Sequence, residues 1–295
     1  MLAEFDLLRP QTLPEALALL ADRAPEAKPL AGGTNVLVDL RSGRGHAPKA
    51  LVDLSKVREL RGLEKQDDHV VIGGGTTITE LLTHPAIAEH GATLRDAAAV
   101  FANPLVRNRA TVAGNLVDAS PAADMAPPLL ALGAAVQLAS SNGSRWVPLE
   151  DFLVGVRQTL RQPDELMVAV GWLTPSPKSA SAYGKFGLRR ADAISVLSVA
   201  VLVERDEAGR CSQARIALGA VAPRPFRAHP AEDCLEGQAL TPEAISEAAH
   251  LAAEAVRPID DIRGSAAYRR RMVEVMVRRL LTQATLTDVA GRLVR

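Results

Sequence analysis

Cysteine is scarce in this sequence. Only Cys211 and Cys234 occur among the 295 residues, too few and too far from a CxxC spacing to build an iron–sulfur or zinc site. The six histidines also lack a spacing typical of metal ligands. No metal site is therefore predicted in this chain, and any metal chemistry would belong to another subunit.

An excess of charge of either sign is also absent. The 34 basic and 34 acidic residues give a formal net charge of +0, so binding to nucleic acid or to an anionic membrane is not expected. Arginines cluster at 269–271 and 278–279. Because no aromatic residues are interleaved with them, we interpret this run as a solvated helix face or a protein contact.

Long hydrophobic runs are missing as well. The longest nearly apolar stretch, 126–139, is about 14 residues and contains two prolines, whereas a membrane-spanning helix needs about 20 apolar residues. Near the beginning of the sequence, Glu4, Asp6 and Arg9 interrupt the apolar core that a signal peptide requires. We therefore expect a cytoplasmic protein without a membrane span.

Two fingerprints of nucleotide-binding loops do not occur. The sequence contains neither G-x-G-x-x-G nor G-x-x-x-x-G-K-[ST], which argues against a Rossmann domain and a P-loop. Instead, two short segments, 31–35 (AGGTN) and 111–115 (TVAGN), lie about 80 residues apart. Small residues let backbone N–H groups approach a bound anion, so we expect the two segments to converge on a diphosphate. The alternative for either segment alone is a structural turn.

A third glycine segment, 73–77 (GGGTT), follows an apolar run and precedes a helix signal in which Thr77 and Glu80 form a capping-box pattern. A helix N-terminus favours anions. The segment therefore has two interpretations, direct contact with phosphate or a wall of the domain.

The remaining patterns indicate an α+β or α/β protein of two domains. Thr12 and Glu15 predict the start of a helix. Strands are expected at 28–31, 50–54, 69–72, 194–204 and 214–221, and further helices at about 242–256 and 265–283. Residues 173–181, which contain two prolines and several small polar residues, predict a domain boundary without a packing face.

Several motifs then follow one another along the chain. Residues 31–35 look like A-G-G-(T/H)-(D/S/N), 111–115 like T-(I/V)-G-G-N, 119–124 like A-S-P-x-(S/A)-D, 185–192 like K-x-x-x-R-R-x-D with Lys185, Arg189, Arg190 and Asp192, and 261–269 like D-x-R-x-S-A-x-Y-R. In this order they resemble one family: the FAD-binding medium subunits, or flavin domains, of molybdenum hydroxylases, which include xanthine dehydrogenase and carbon monoxide dehydrogenase. The resemblance covers nearly the whole chain.

The resemblance implies an α+β fold in two domains. Residues 1–176 would form a two-lobed FAD-binding domain of the vanillyl-alcohol-oxidase (PCMH) type, with lobes at about 1–57 and 58–176. Residues 177–286 would form an α+β domain like the C-terminal domain of the carbon monoxide dehydrogenase flavoprotein, and 287–295 a tail. FAD would lie extended between the two lobes.

The resemblance also assigns roles to residues. Residues 29–36 would line one side of the FAD site, Asp124 would accept a hydrogen bond from a ribityl or ribose hydroxyl, and Phe101 and Lys185 would lie near the isoalloxazine. The residues that would hold the FAD diphosphate are Gly32, Gly33, Thr34, Asn35, Thr111, Gly114 and Asn115. The alternatives are a helix cap for Asp124 and a surface position for Lys185. The full set of predicted FAD-binding residues is Pro29, Leu30, Ala31, Gly32, Gly33, Thr34, Asn35, Val36, Phe101, Thr111, Val112, Ala113, Gly114, Asn115, Asp118, Ser120, Asp124, Leu166 and Lys185.

Three departures from the family pattern are visible. Ala113 stands where relatives often carry glycine, so its N–H is expected slightly farther from the phosphate. Ala193 and Ile194 follow Asp192 where some relatives place an aromatic residue over the flavin. The cysteine-bearing loop of the 4-hydroxybenzoyl-CoA reductase branch is missing, which disfavours that branch.

The implied function is electron transfer within a heteromeric enzyme. A large subunit would carry the molybdenum cofactor, a small subunit two [2Fe–2S] clusters, and this chain the FAD that passes electrons to an external acceptor, in a dimer of heterotrimers. No catalytic residue is predicted in this chain. The alternatives are a free-standing FAD-dependent oxidoreductase of the same fold and a flavin-free scaffold subunit.

Overall fold

The computed structural model describes residues 4–43, 47–189 and 191–286. His46, Arg190 of the basic motif and the predicted tail 287–295 lie outside these ranges. The first lobe is a three-stranded parallel sheet of order β1-β3-β2 with two helices. Its elements are β1 (Asp6–Leu8), α1 (Leu13–Arg23), β2 (Ala27–Leu30), α2 (Val36–Ser42) and β3 (Ala50–Asp53). Two short 3₁₀ turns, Leu54–Lys56 and Arg58–Leu60, lead to the second lobe.

The second lobe is built on a five-stranded antiparallel sheet of order β4-β5-β10-β6-β7. Its elements are β4 (Leu63–Gln66), β5 (His69–Gly73), α3 (Ile78–Thr83), α4 (Pro85–His90), α5 (Ala92–Ala99), α6 (Pro104–Arg107), α7 (Val112–Val117), α8 (Ala126–Ala131), β6 (Ala135–Ser140), β7 (Gly143–Pro148), α9 (Leu149–Phe152), β8 (Leu153–Gly155), β9 (Gln158–Thr159) and β10 (Leu166–Leu173). Strands β8 and β9 form a separate hairpin. The short helices α3–α8 fill the chain between β5 and β6.

The C-terminal part contains a four-stranded antiparallel sheet of order β11-β12-β13-β14 and three helices. Its elements are β11 (Ser179–Gly187), β12 (Ser195–Arg205), β13 (Cys211–Gly219), β14 (Phe226–Arg227), α10 (His229–Asp233), α11 (Pro242–Ala255) and α12 (Ala266–Thr285). The predicted strands and helices of this region are confirmed. Within the described ranges, no helix is both long enough and apolar enough to cross a membrane.

Side-chain caps fix where several helices begin. Both predicted capping boxes are present: Thr12 with Glu15 at α1, and Thr77 with Glu80 at α3. In each, the threonine oxygen accepts from a backbone N–H of the first turn and the glutamate accepts from the N-cap N–H. Thr111 caps α7 in the same manner, accepting from the N–H of Gly114 at 3.1 Å.

Alternate residues of β12 face two different cores. Val199 and Val201 belong to the core of the C-terminal helices, whereas Ala200 and Leu202 pack into the core of the second lobe. This period of two is what a strand buried on both faces requires. The C-terminal sheet is therefore packed against the second lobe through one of its faces.

The predicted linker 173–181 is wrong at both ends. Leu173 is the last residue of β10, and Ser179–Ser181 are the buried beginning of β11. Only residues 174–178 connect the two strands, and the boundary predicted after residue 176 falls among them. The small side chains of residues 179–181 pack closely against β12. Composition alone did not distinguish these strand residues from the residues of a loop.

The arginine run of α12 is likewise not wholly solvated. The Arg269 side chain is only 4% exposed, and its Nη2 lies 2.6 Å from Asp261 Oδ1. Its Nη1 donates to the carbonyl oxygen of Ala220 at 2.9 Å. Arg269 thus ties α12 to the end of β13, while Arg270 and Arg271 are not buried.

Candidate functional site

A cleft of about 830 Å³ separates the two N-terminal lobes and reaches the loop between β11 and β12. This volume lies within the range of about 300–1,000 Å³ that is usual for ligand pockets. Most residues of the predicted set line it: Pro29, Ala31, Gly32, Gly33, Thr34, Asn35, Val36, Phe101, Thr111, Ala113, Gly114, Asn115, Asp118, Ser120, Asp124 and Leu166. Leu30, Val112 and Lys185 are not part of the lining.

The first glycine segment lines this cleft and carries backbone donors that no described residue satisfies. Among the described residues, none accepts a hydrogen bond from the N–H groups of residues 32–35. Gly33 adopts φ +74°, the left-handed region that favours glycine. Backbone N–H groups that lack a protein acceptor need another partner, and four consecutive ones beside a cleft suit an anion.

Gly32 also brings the two lobes together. A Cβ atom at this position would lie 1.9 Å from the carbonyl oxygen of Arg109, a distance at which no side chain fits. The first lobe therefore contacts the backbone just before the second glycine segment, and only glycine allows that contact.

The second glycine segment uses its N–H groups within the protein. Val112 N–H donates to Thr76 O at 3.0 Å, Ala113 N–H to Gly74 O at 3.2 Å, and Gly114 N–H to the Thr111 hydroxyl. The N–H of Ala113 is thus already engaged within the protein, and the effect of its methyl group on a phosphate contact stays a prediction.

What this segment presents to the cleft is a side chain. Asn115 Oδ1 accepts from Met125 N–H at 3.1 Å, which fixes the amide plane. No described residue accepts from the Asn115 amide nitrogen, so its two N–H donors remain for a ligand.

The third glycine segment is a packing junction. The N–H groups of Gly73, Gly74 and Gly75 donate to the carbonyl oxygens of Gly62, Val168 and Leu60. A Cβ at Gly74 would lie 2.4 Å from Met167 O, and one at Gly73 2.4 Å from Leu60 O. These glycines allow backbones to approach closely, and their engaged N–H groups favour the interpretation as a wall. Direct contact with phosphate stays a prediction.

Lys185 and Asp124 form a buried ion pair. The lysine Nζ lies 2.7 Å from Asp124 Oδ2, and the two side chains are 7% and 9% exposed. Ser195 donates to the other oxygen, Oδ1, at 2.6 Å. Both alternatives from the sequence are therefore wrong: Lys185 is not on the surface, and Asp124 does not cap α8. The pair joins β11 to the loop that borders the cleft.

Burial and the nearby Asp124 carboxylate raise the pKa of Tyr183 well above its ordinary value. Its phenol therefore stays protonated beside the ion pair. A neutral hydroxyl at this position adds no charge beside the pair.

Sequence reasoning missed an ion pair across the cleft. Arg157 Nη1 lies 2.6 Å from Asp39 Oδ2, and its Nη2 lies 3.7 Å from Asp118 Oδ1. The hydrogen bond to Asp39 raises the pKa of the Arg157 guanidinium. Residues 39 and 157 belong to no shared motif, and their separation of 118 positions leaves no local signal.

Arg161 is a second missed cation in the lining. Its Nη1 donates to the carbonyl oxygens of Gln162, Pro163 and Glu165, at 2.8, 3.3 and 2.7 Å. Burial lowers the pKa of its guanidinium, yet an arginine remains charged at neutral pH. The cleft thus combines unpaired N–H donors with the Arg161 guanidinium, and both features suit the diphosphate of FAD.

Comparison with known proteins decides the family. Residues 3–171 match the family described as the FAD binding domain in molybdopterin dehydrogenase, and residues 181–284 match the CO dehydrogenase flavoprotein C-terminal domain. This chain belongs to the first of these, the family of the FAD binding domain in molybdopterin dehydrogenase. FAD is accordingly the cofactor of its N-terminal part, and the predicted α+β fold is confirmed.

Two relatives from this family have nearly the same length as this chain. The alpha subunit of the 6-hydroxypseudooxynicotine dehydrogenase complex of Paenarthrobacter nicotinovorans is 36% identical over 95% of this chain and 94% of its own. The carbon monoxide dehydrogenase medium chain of Hydrogenophaga pseudoflava is 34% identical over 95% and 96%. The predicted identity as an oxidoreductase subunit is therefore confirmed.

Solved structures agree with these matches. The carbon monoxide dehydrogenase of Hydrogenophaga pseudoflava superposes with a TM-score of 0.92 at 34% identity, covering 97% of this chain and 98% of that chain. Quinoline 2-oxidoreductase from Pseudomonas putida 86 gives 0.89 at 32% identity, covering 96% and 98%. Chains of this length and fold thus occur in oxidoreductases that are named for different substrates.

Proposed function

We propose that this chain is the electron relay of a heteromeric molybdenum hydroxylase. It would receive electrons from [2Fe–2S] clusters in a small partner subunit and pass them through FAD to an external acceptor. A large partner subunit would hold the molybdenum cofactor and the organic substrate. Support comes from the family itself and from relatives whose names describe subunits of dehydrogenase complexes.

The assembly we propose is a dimer of heterotrimers in the cytoplasm. Its FAD-bearing chain would divide into a domain at 1–176, with lobes at about 1–57 and 58–176, and a domain at 177–286. The two family matches, 3–171 and 181–284, support a division in this place. The contact of the C-terminal sheet with the second lobe supports a fixed arrangement of the two domains.

The observation that carries the proposal is the cleft with unpaired donors. The N–H groups of residues 32–35 would bind the diphosphate, and the Asn115 amide would donate to the same ligand. Asp124, already positioned by Lys185, has lone pairs left to accept from a hydroxyl of the cofactor. Phe101 and Ile194 line another part of the cleft and offer apolar surface to a ring.

Bound FAD would supply the redox chemistry, taking electrons singly and delivering them in pairs. The chain's own part is to hold and orient that group. Among the described residues, no group of three or more His, Cys, Asp or Glu side chains could hold a metal ion. Electron supply from a partner, rather than from a metal on this chain, is therefore the arrangement that we propose.

The first test is whether the full chain holds FAD at this site. Wild-type protein supplied with FAD and then freed of unbound FAD should retain flavin absorption at about 450 nm. Asn115→Asp keeps the oxygen that accepts from Met125 but replaces the amide donors with negative charge, so FAD affinity should fall by about tenfold or more. Asn142→Asp, in the exposed turn after β6, makes the same change away from the cleft and should leave affinity unaltered.

The second test addresses the relay. Under anaerobic conditions, a reduced iron–sulfur partner should bleach the flavin band of the wild-type chain, and an added acceptor should restore it. A flavin that stays oxidised beside the reduced partner would contradict the relay. Bleaching by an organic substrate without any partner would support the free-standing oxidoreductase, and absence of the band after addition of FAD would support the scaffold.

A further inference from the structure

The turn of the hairpin β8–β9 contributes one residue, Arg157, to the lining of the FAD cleft. Arg157 lies in its turn with φ +56°, and its N–H donates to the carbonyl oxygen of Ala119 at 2.9 Å. The hairpin tip is thereby fixed to the second lobe. The guanidinium of the same residue contacts Asp39 in the first lobe at 2.6 Å.

Asp39 is built into the element that follows the first glycine segment. Its own N–H donates to Asn35 O at 2.9 Å, and Leu37 N–H donates to Gly33 O at 3.1 Å. Helix α2 and residues 33–35 are therefore one hydrogen-bonded unit. A displacement of Asp39 would also displace the unpaired N–H groups of residues 33–35, which line the cleft.

The two partners differ in exposure. The Asp39 side chain is 10% exposed, whereas that of Arg157 is 47% exposed. A carboxylate with so little access to water needs its cation, because an unpaired buried charge is costly. Without Arg157, the favourable response is a shift of α2 that brings Asp39 into water, and this shift would carry residues 33–35 with it.

Residues 32–39 are held to the second lobe at two points, one at each end. Gly32 abuts the backbone of Arg109 at one end, where a Cβ would lie 1.9 Å from its oxygen. Arg157 holds Asp39 at the other end. On the basis that FAD is the ligand of the cleft, we infer that Arg157 is a positioning residue. It is an inter-lobe clamp that retains FAD by holding α2 and its preceding loop against the second lobe.

The test is a double-mutant cycle on FAD release from the full chain, followed by the recovery of flavin fluorescence after dilution. Arg157→Gln and Asp39→Asn should each speed release by about tenfold or more, the effect of losing one charge-assisted hydrogen bond. The double variant should release FAD no faster than the faster single variant, since both changes remove the same contact. Arg157→Lys, which keeps the charge, should recover part of the retention.

Arg210→Gln is the matched control. Arg210 also follows a hairpin turn, between β12 and β13, and its Nε contacts Asp206 Oδ2 at 3.1 Å, but it does not line the cleft. Its variant should release FAD at the wild-type rate. Far-UV circular dichroism shows whether each variant is folded, and Arg157→Lys keeps the test valid if Arg157→Gln does not fold.

Three results would overturn the inference: release from Arg157→Gln within about twofold of the control, additive effects of the two single changes, or no recovery in Arg157→Lys. Wild-type protein that takes up no FAD would overturn the proposed function together with the clamp. Normal FAD uptake with unaltered release from the variants would overturn the clamp alone.

Discussion

Replacing Lys185 with methionine would test the buried ion pair between β11 and the cleft. Methionine fills a similar volume without the charge, so Asp124 would remain 9% exposed with no cation. Breaking a buried pair by removing one partner costs about 3–5 kcal/mol. The hydrogen bond from Ser195 at 2.6 Å persists, which places the expected loss at the lower end, about 3 kcal/mol.

The assay is thermal unfolding of the FAD-free chain, because bound FAD would add a stabilisation of its own. A loss of about 3 kcal/mol corresponds to a fall in Tm of about 6–12 °C in a domain of this size class. Lys178→Met is the control. Lys178 pairs with Glu207, but the two side chains are 46% and 93% exposed, and such surface pairs contribute about 0–1 kcal/mol.

A double variant of Lys185→Met and Asp124→Asn separates the effect of the ion pair on stability from the effects of the two single changes on their surroundings. If the ion pair is the cause, the double variant should be less destabilised than the sum of the two single variants, because the second change removes the charge that the first left unpaired. Equal Tm values for Lys185→Met and Lys178→Met, or strictly additive losses, would refute the reasoning.

Three further changes have defined outcomes. Gly74→Ala places a Cβ 2.4 Å from Met167 O, so we expect a destabilisation of about 1–3 kcal/mol in chemical unfolding. Thr111→Ala removes the cap of α7, and the same assay should give a loss of about 1 kcal/mol. Arg145 lies 2.7 Å from Glu165 and lowers the pKa of that carboxyl below its ordinary 4.5; the pair therefore stabilises the fold above about pH 4.5 and ceases to do so as the pH falls through the lowered pKa. Arg145→Met should be less stable than wild type at pH 7, and this difference should shrink at about pH 3.

Much of the fold could be predicted from local patterns in the sequence. The capping boxes at Thr12 and Thr77 predicted helix starts correctly, because the residues that make a cap lie within one turn of each other. The strand expected at 194–204 corresponds to β12, since a strand buried on both faces is almost continuously apolar. Strand β11 was missed because its small residues resemble a loop in composition.

The site was less accessible to sequence reasoning than the fold. Most predicted residues do line the cleft, but their pattern did not say which backbone donors are unpaired. That depends on acceptors such as Val168 and Leu60, which approach the third glycine segment from other parts of the chain. The contact between Arg157 and Asp39 depends on the relative position of two lobes, and no local spacing encodes it.

The three glycine segments therefore have different physical roles. Ala113 N–H donates to Gly74 O, so the second and third segments are hydrogen-bonded to each other. Gly32 contacts the backbone of Arg109, next to the second segment. The unpaired donors of 32–35 therefore lie against the backbone that the second and third segments form together. A side chain at Gly32 would first force the two lobes apart, and anion binding would weaken because the donors had moved away from that backbone, although no donor was lost.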